Sequence, residues 1–193
     1  MAVAIRLIVG LGNPGLHYDA TRHNAGFWFA DRLAHGAGAQ FRSERKFYGD
    51  TARVALGGID CRLLKPTTFM NRSGQAIAAL ANFYRIGPEA ILVVHDELDL
   101  APGVARLKRG GGHGGHNGLR DAMAQLGTQA FARLRIGIGH PGERSQVTPF
   151  VLGRPDAVQQ VALHTALDES QRVVTELLAG DWDRAVRILH SRT

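Results

Sequence analysis

The sequence has only one cysteine, Cys61, among its 193 residues. A single thiol excludes an intrachain disulfide, and a chain that folds without disulfides is typical of a reducing compartment. Strand-like residues surround this position, so we interpret Cys61 as a small buried side chain in a strand rather than as a reactive thiol.

Long hydrophobic runs are also missing. No stretch approaches the run of about 18 apolar residues that a membrane-spanning helix needs. The apolar start of the chain, residues 1–10, contains Arg6 and is too short for the hydrophobic region and cleavage site of a signal peptide. We therefore expect a soluble protein of the cytoplasm.

Two common signatures of catalysis are absent as well. The sequence contains no Gly-x-Ser-x-Gly, which argues against a nucleophile elbow. Gly10, Gly12 and Gly15 have the spacing of a dinucleotide-binding fingerprint, but Pro14 and Gly15 predict a turn where that fingerprint needs a helix. A nicotinamide or flavin cofactor is therefore not expected, and water is the better candidate nucleophile.

The histidines raise the alternative of a metal site. His113 and His116 are three residues apart, and His95 directly precedes Asp96. The glycines between His113 and His116 predict a loop rather than a helix that would fix two ligands on one face, and no cysteine is nearby. Zinc is the weaker interpretation, and we expect no metal.

Acidic residues are outnumbered, with 17 Asp and Glu against 23 Lys and Arg, and the net charge is +6. This excess favours a polyanionic partner. Six basic residues flank the glycine-rich segment Gly110–Gly118: Arg106, Lys108, Arg109, Arg120, Arg133 and Arg135. The backbone N–H groups of that segment, with a helix expected to begin at Asn117, favour anion binding. A solvated basic face is the alternative.

Strand-like and helix-like segments alternate along the chain. The predicted strands are Ile5–Val9, Thr51–Leu56, Ile59–Leu64, Ile91–Val94, Val104–Lys108 and Leu134–Ile138. Gly57 and Gly58 suit a tight hairpin between the second and third of them. One helix is expected to begin at Asn24, and a second to lie after Pro66 and end at Gly87-Pro88. A third is expected to end at Gly127, and the C-terminal tail is expected to be helical. We predict one α/β domain over residues 1–193, with a twisted mixed sheet surrounded by helices.

Polar side chains follow the ends of several predicted strands: Asn13, Asn71, Asp96 and Asn117. Each alone is more simply explained as a turn or capping residue. Because ligands of open α/β sheets collect beyond the carboxyl ends of the strands, we expect these side chains to converge. His23 and Asp96 would then form a general-base pair, in which the carboxylate fixes the imidazole tautomer.

Several ordered motifs closely resemble those of the bacterial-type peptidyl-tRNA hydrolases. They are Gly10-Leu11-Gly12-Asn13-Pro14-Gly15, Thr21-Arg22-His23-Asn24-Ala25-Gly26, Lys65-Pro66-Thr67-Thr68-Phe69-Met70-Asn71, His95-Asp96-Glu97-Leu98-Asp99, Gly111-Gly112-His113-Gly114-Gly115-His116-Asn117 and Arg135-Ile136-Gly137-Ile138-Gly139-His140-Pro141-Gly142. The resemblance implies a monomeric α/β enzyme without a cofactor. Its implied reaction is hydrolysis of the ester that joins a peptide to the 3′ end of tRNA.

The resemblance also implies roles by position. His23 would be the general base, Asp96 its orienting carboxylate, and Asn13 a carboxamide that stabilises the oxyanion. The other implied substrate contacts are Tyr18, Met70, Asn71, His116 and Asn117. A clamp for the 5′ phosphate on the acceptor stem would consist of Arg106, Lys108 and Arg135.

Two other functions stay open at this point. The basic residues alone are equally typical of a non-catalytic RNA-binding relative, although such a protein needs neither His23 nor Asp96. The glycine-rich loops also permit binding of a free nucleotide. Release of the amino acid from an N-blocked aminoacyl-tRNA distinguishes the enzyme from the binder.

Overall fold

The computed structural model describes residues 3–191, which form one seven-stranded sheet with helices on both faces. The strands are β1 (Leu7–Gly10), β2 (Arg42–Glu44), β3 (Gly49–Leu56), β4 (Ile59–Pro66), β5 (Ile91–Glu97), β6 (Ala105–Arg109) and β7 (Ala132–Gly137). Their order is β2-β3-β4-β1-β5-β7-β6. The central strands β4, β1, β5 and β7 are parallel, whereas β2, β3 and β6 pair antiparallel, which confirms the predicted mixed sheet.

Helices cover the two faces unequally. Their bounds are α1 (Ala25–Gly36), α2 (Ser73–Phe83), α3 (Asn117–Leu126), α4 (Val147–Val151), α5 (Ala157–Gln171), α6 (Val174–Leu178) and α7 (Trp182–His190). Side chains alternate between faces along a strand, so Ile8 and Val94 pack in a core with α1, α5, α6 and α7. Val9 and Val93 point the other way, into a core with α2 and α3.

The hairpin between β3 and β4 has the expected turn. Gly57 and Gly58 have φ angles of 57° and 78°, which a side chain disfavours, and Leu56 pairs with Ile59 across the turn. Cys61, two residues into β4, is 2% exposed, and burial raises the pKa of its thiol to about 12. The interpretation of Cys61 as a buried strand residue is confirmed.

Helix α2 ends earlier than the sequence predicts. Gly87 and Pro88 are not the stop, because Arg85 already adopts a left-handed conformation with φ 53°. The N–H of Ile86 then donates to the carbonyl of Ala81, and the N–H of Arg85 to that of Asn82. This is the closure that glycine usually provides after a helix. An arginine in that position gives no sequence signal.

The edge strand β6 is covered by the C-terminal helix. The Leu107 N–H donates to Nε2 of His190 in α7 at 3.0 Å, and the Arg109 guanidinium lies 4.2 Å from the ring centroid of Trp182. These contacts protect a sheet edge that would otherwise present unpaired backbone groups. Among residues 3–191, no helix has both the length and the apolar composition needed to cross a membrane.

Candidate active site

His23 and Asp96 meet beyond the carboxyl end of the parallel strands. Asp96 lies near the end of β5, and His23 lies in a single 3-10 turn, Arg22–Asn24, that leads into α1. Nδ1 of His23 is 2.9 Å from Oδ2 and 3.0 Å from Oδ1 of Asp96. A carboxylate accepts hydrogen bonds, so Nδ1 carries the imidazole proton and Nε2 keeps its lone pair.

Each member of this pair stabilises the charged form of the other. Burial alone would raise the pKa of the Asp96 carboxyl, but its interactions with His23 and His116 outweigh burial and hold that pKa well below its usual range. Burial alone would lower the pKa of His23, but the charge and hydrogen bond of Asp96 reverse the effect and raise it. Asp96 is therefore ionised, and His23 is a stronger base than a free imidazole.

His116 is the second histidine on Asp96. Its Nε2 lies 2.9 Å from Asp96 Oδ1, and its Nδ1 accepts hydrogen bonds from the N–H groups of Gly118 and Leu119 at 3.1 and 3.3 Å. The His116 ring therefore caps the N-terminus of α3 with one nitrogen and donates to the carboxylate with the other.

The same three side chains have the composition of a metal site. Ligand atoms of His23, Asp96 and His116 all lie within 4.8 Å of one another. A metal on Nε2 of His116 would need the ring proton on Nδ1, where it would displace the Gly118 and Leu119 bonds. The hydrogen-bonding of His116 therefore does not fit a metal ligand.

Asn13 is fixed by a buried amide network. Its Oδ1 accepts from the Met70 N–H at 2.8 Å, which assigns the carboxamide orientation and leaves Nδ2 as the donor. The Asn24 side chain in turn accepts from the Asn13 N–H at 2.8 Å and donates to the Asn13 carbonyl at 2.9 Å. Asn13 and Met70 are buried, as is Asn24.

The remaining candidate contacts lie around two depressions. His116 and Asn117 line a cleft of about 650 Å³ with His23 and Asp96, and the exposed Asn117 accepts from Arg120 at 3.1 Å. Asn71 is exposed and lines a separate open depression of about 640 Å³. Tyr18 is half-buried, with its ring edge-on to Phe69, another residue of the second depression.

Comparison with known proteins assigns the family. The sequence profile of the peptidyl-tRNA hydrolase family matches residues 7–193. The chain belongs to this family. It is 60% identical to a peptidyl-tRNA hydrolase of Halorhodospira halophila over 186 residues, with 96% of each chain covered. The identity to that of Pseudomonas aeruginosa is also 60%, over 190 residues and 98% of each chain.

Solved structures agree with this assignment. The crystal structure of peptidyl-tRNA hydrolase from Acinetobacter baumannii superimposes with a TM-score of 0.94 at 50% sequence identity. The superposition covers 96% of this chain and 94% of the other. The predicted family and α/β fold are both confirmed.

The three clamp candidates lie on one face of the outer strands. Arg106 pairs with Arg135 across β6 and β7, and Lys108 follows two residues later on the same face. Lys108 is exposed, whereas Arg135 is partly buried and donates from Nη2 to Glu97 Oε1 at 2.8 Å. Glu97 follows Asp96 in β5, and its side chain lies on the same face of the sheet as Arg106 and Arg135.

Two other basic residues lie outside the surface formed by the clamp candidates. Arg133 is 4% exposed, and its guanidinium donates to the carbonyls of Gly110 and Gly112 at 2.6 and 3.0 Å. Arg109 lies on the opposite face of β6, against Trp182. Both are close to the clamp candidates in the sequence, but the buried Arg133 supports a loop and the exposed Arg109 packs on Trp182 of α7.

The glycine-rich segment also differs from a free anion cradle. The N–H of Gly110 donates to the Phe131 carbonyl, that of Gly115 to Nδ1 of His113, and that of Gly118 to His116. These three N–H donors are therefore already used within the protein. This weakens the sequence interpretation of the segment as an anion-binding loop.

Sequence reasoning missed Arg22, which precedes His23. Its guanidinium donates to the Phe150 carbonyl at 3.1 Å and to Gln159 Oε1 at 2.8 Å, and lies 4.1 Å from the Phe150 ring centroid. Arg22 thus ties the turn that carries His23 to α4 and α5. These partners are 128 and 137 residues away, so no local pattern could reveal them.

Proposed function

We propose that this chain hydrolyses the ester between a peptide and the 3′-terminal ribose of tRNA, with His23 as the general base. The observation that carries the proposal is the bidentate approach of His23 Nδ1 to Asp96, which leaves Nε2 as a proton acceptor. The relatives of this chain are peptidyl-tRNA hydrolases, which indicates the substrate.

The chemical step needs one proton acceptor and one water molecule. His23 takes a proton from water as the water oxygen bonds to the ester carbonyl carbon. When the tetrahedral intermediate collapses, its bond to the ribose oxygen breaks, and that oxygen receives the proton from His23. Asp96 stabilises the imidazolium in between. General-base assistance of this kind accelerates such reactions by about 10²–10⁴-fold.

Carboxamides supply the polar contacts that the intermediate requires. The Asn13 Nδ2 donor is fixed in place, because Oδ1 is held by the Met70 N–H, and we assign it to the developing oxyanion. Asn71 and Asn117 are exposed, and we assign both to contacts with the substrate. Met70 and Tyr18 shape the pocket, and His116 forms part of its wall.

The RNA phosphate is held away from the reacting ester. Arg106, Lys108 and Arg135 form a cationic surface on β6 and β7, suited to the 5′ phosphate of the acceptor stem. Contacts of this type position the RNA without reading its bases, so one enzyme serves many tRNAs. The partner is therefore the acceptor stem and 3′ end of peptidyl-tRNA.

The remaining features follow from this activity. We expect the protein to act as a monomer and as one domain over residues 1–193, as the resemblance to the family implies. The reaction belongs in the cytoplasm, where translation produces peptidyl-tRNA. The steps assigned to His23, Asp96 and Asn13 require neither a metal nor another cofactor.

Release of the amino acid from an N-blocked aminoacyl-tRNA tests the proposal. We expect the wild type to cleave this ester, and His23→Ala to bind the RNA with unchanged affinity while losing most turnover. His35→Ala, which removes an exposed imidazole from the other end of α1, is the matched control and keeps full turnover. Binding without cleavage by the wild type would instead identify a non-catalytic RNA-binding protein.

A further inference from the structure

The His116 ring is held in one tautomer by groups on both of its nitrogens. Nδ1 can only accept, because it faces the N–H groups of Gly118 and Leu119 in the first turn of α3. The ring proton must then reside on Nε2, where it points at Asp96 Oδ1 from 2.9 Å. His116 is consequently a permanent hydrogen-bond donor to Asp96 while α3 remains capped.

We propose that His116 is a positioning residue that competes with His23 for Asp96 and so limits how strongly Asp96 retains a proton on His23. This rests on the proposed function and concerns the same site. Asp96 Oδ1 lies within 3.0 Å of both imidazoles. Each bond that a carboxylate accepts reduces the negative charge available to its other donors. His116 therefore lets His23 become neutral, and able to accept a proton from water, at a lower pH than it would without this competition.

A change of tautomer by His116 would be costly. Moving the proton to Nδ1 would break the two cap hydrogen bonds of α3 and leave Asp96 with one donor fewer. The cap also positions Asn117, the first residue of α3. Helix capping and control of the general base are thereby combined in one side chain.

Other ionisable groups surround this pair. His23, His95 and Asp96 touch or closely approach the His116 ring. His95 donates from Nδ1 to the Asp96 carbonyl at 2.8 Å, and burial, aided by His116, lowers its pKa to about 3, so it stays neutral where the enzyme works. The wider cleft is lined by Glu97, Asp99, His113, Arg120, His140 and Arg144.

Two substitutions test the roles of the two His116 nitrogens separately. In His116→Asn, the side-chain amide replaces Nδ1 and can still cap α3, but it is too short to reach Asp96. In His116→Gln, the longer amide reaches Asp96 as a donor but caps the helix poorly. His113→Asn is the matched control, because His113 Nδ1 also accepts a loop N–H, from Gly115, without contacting Asp96.

The pKa of His23 is measured by NMR titration of the resting protein without tRNA. We expect His116→Asn to shift the His23 titration to higher pH, and the acid limb of kcat/KM to move with it, while activity recovers at alkaline pH. We expect His116→Gln to leave the titration nearer that of the wild type and to lower Tm. The His23 titration of His113→Asn should match that of the wild type.

Specific results would overturn the proposal. One is a folded His116→Asn variant whose His23 titrates as in the wild type, with activity reduced equally at every pH. Another, independent of any variant, is a nitrogen spectrum of the wild type that places the His116 proton on Nδ1. Failure of the proposed function would appear differently, as an absence of ester cleavage by the wild type with the expected titrations intact.

Discussion

The side chain of Asn24 binds both backbone polar groups of Asn13, at 2.8 Å to the N–H and 2.9 Å to the carbonyl. Asn24 directly follows His23, so the residue after the proposed base holds the residue that we assign to the oxyanion. Both asparagines are buried, so water cannot replace either hydrogen bond. Asn24 therefore links the backbone of Asn13 to the turn that carries His23.

Asn24→Ala should lower both stability and turnover. The substitution leaves the N–H and carbonyl of Asn13 without partners in a buried environment, which costs about 2 kcal/mol in the free energy of unfolding. We expect kcat to fall while RNA affinity is kept. Urea denaturation and steady-state kinetics measure these effects, with Asn82→Ala on the exposed side of α2 as control. Unchanged kcat would show that Asn24 does not position the site.

Asn13→Asp should separate the two functions of this carboxamide. An aspartate oxygen can still accept from the Met70 N–H, but the side chain no longer offers the Nδ2 donor. Loss of one oxyanion donor typically reduces kcat by about 10²–10³-fold. We expect that loss in single-turnover assays with a folded protein. A variant that retains wild-type kcat would remove Asn13 from the oxyanion site.

Activity and the stability contributed by His23 should change in opposite directions with pH. Its pKa is raised in the folded state, so its interaction with Asp96 stabilises the fold fully below pH 6.5 and is lost as the pH rises through the folded value. Turnover requires the neutral ring and should increase over the same range. Denaturation of the wild type and His23→Ala at several pH values measures the first trend, and pH–rate profiles measure the second. In an Asp96→Asn background, burial of His23 is no longer outweighed by a carboxylate charge, so the pH dependence of the stability difference should reverse its sign.

Lys108→Met should weaken RNA binding in a salt-dependent way. Loss of one phosphate contact should reduce the slope of log affinity against log salt by about 0.7–0.9. Removing the 5′ phosphate from the tRNA should weaken the wild type but have little further effect on the variant. Lys46→Met is the control, because Lys46 lies near β2, at the opposite edge of the sheet from β6. Additive effects of the substitution and dephosphorylation would place the phosphate elsewhere.

Local chemistry made much of the fold predictable. Gly57 and Gly58 predict a hairpin because few residues accept positive φ at two successive positions. Helix α3 ends at Gly127, as expected, in a left-handed conformation with φ 68°. The end of α2 was not predictable, because Arg85 takes a left-handed conformation that its own side chain does not favour.

The burial of the basic residues could not be inferred from the sequence pattern. Arg133 and Arg135 alternate with apolar residues in β7 and look equivalent in the sequence. Arg133 is nevertheless buried, and its Nη1 and Nη2 donate to two carbonyls of the glycine-rich segment, whereas Arg135 pairs with Glu97. A periodic pattern identifies a shared face of the sheet but not what covers each part of it.

The sequence alone determined the alternation of strands and helices, the family, and the residue types available for general-base chemistry, since these depend on local periodicity and on ordered motifs. Only the tertiary structure decided that Asp96 serves two histidines, that His116 caps α3, and that Asn24 holds Asn13. The physical reason is that hydrogen bonds between distant segments depend on distances and angles fixed by the packing of the whole sheet, and no local pattern in the chain contains them.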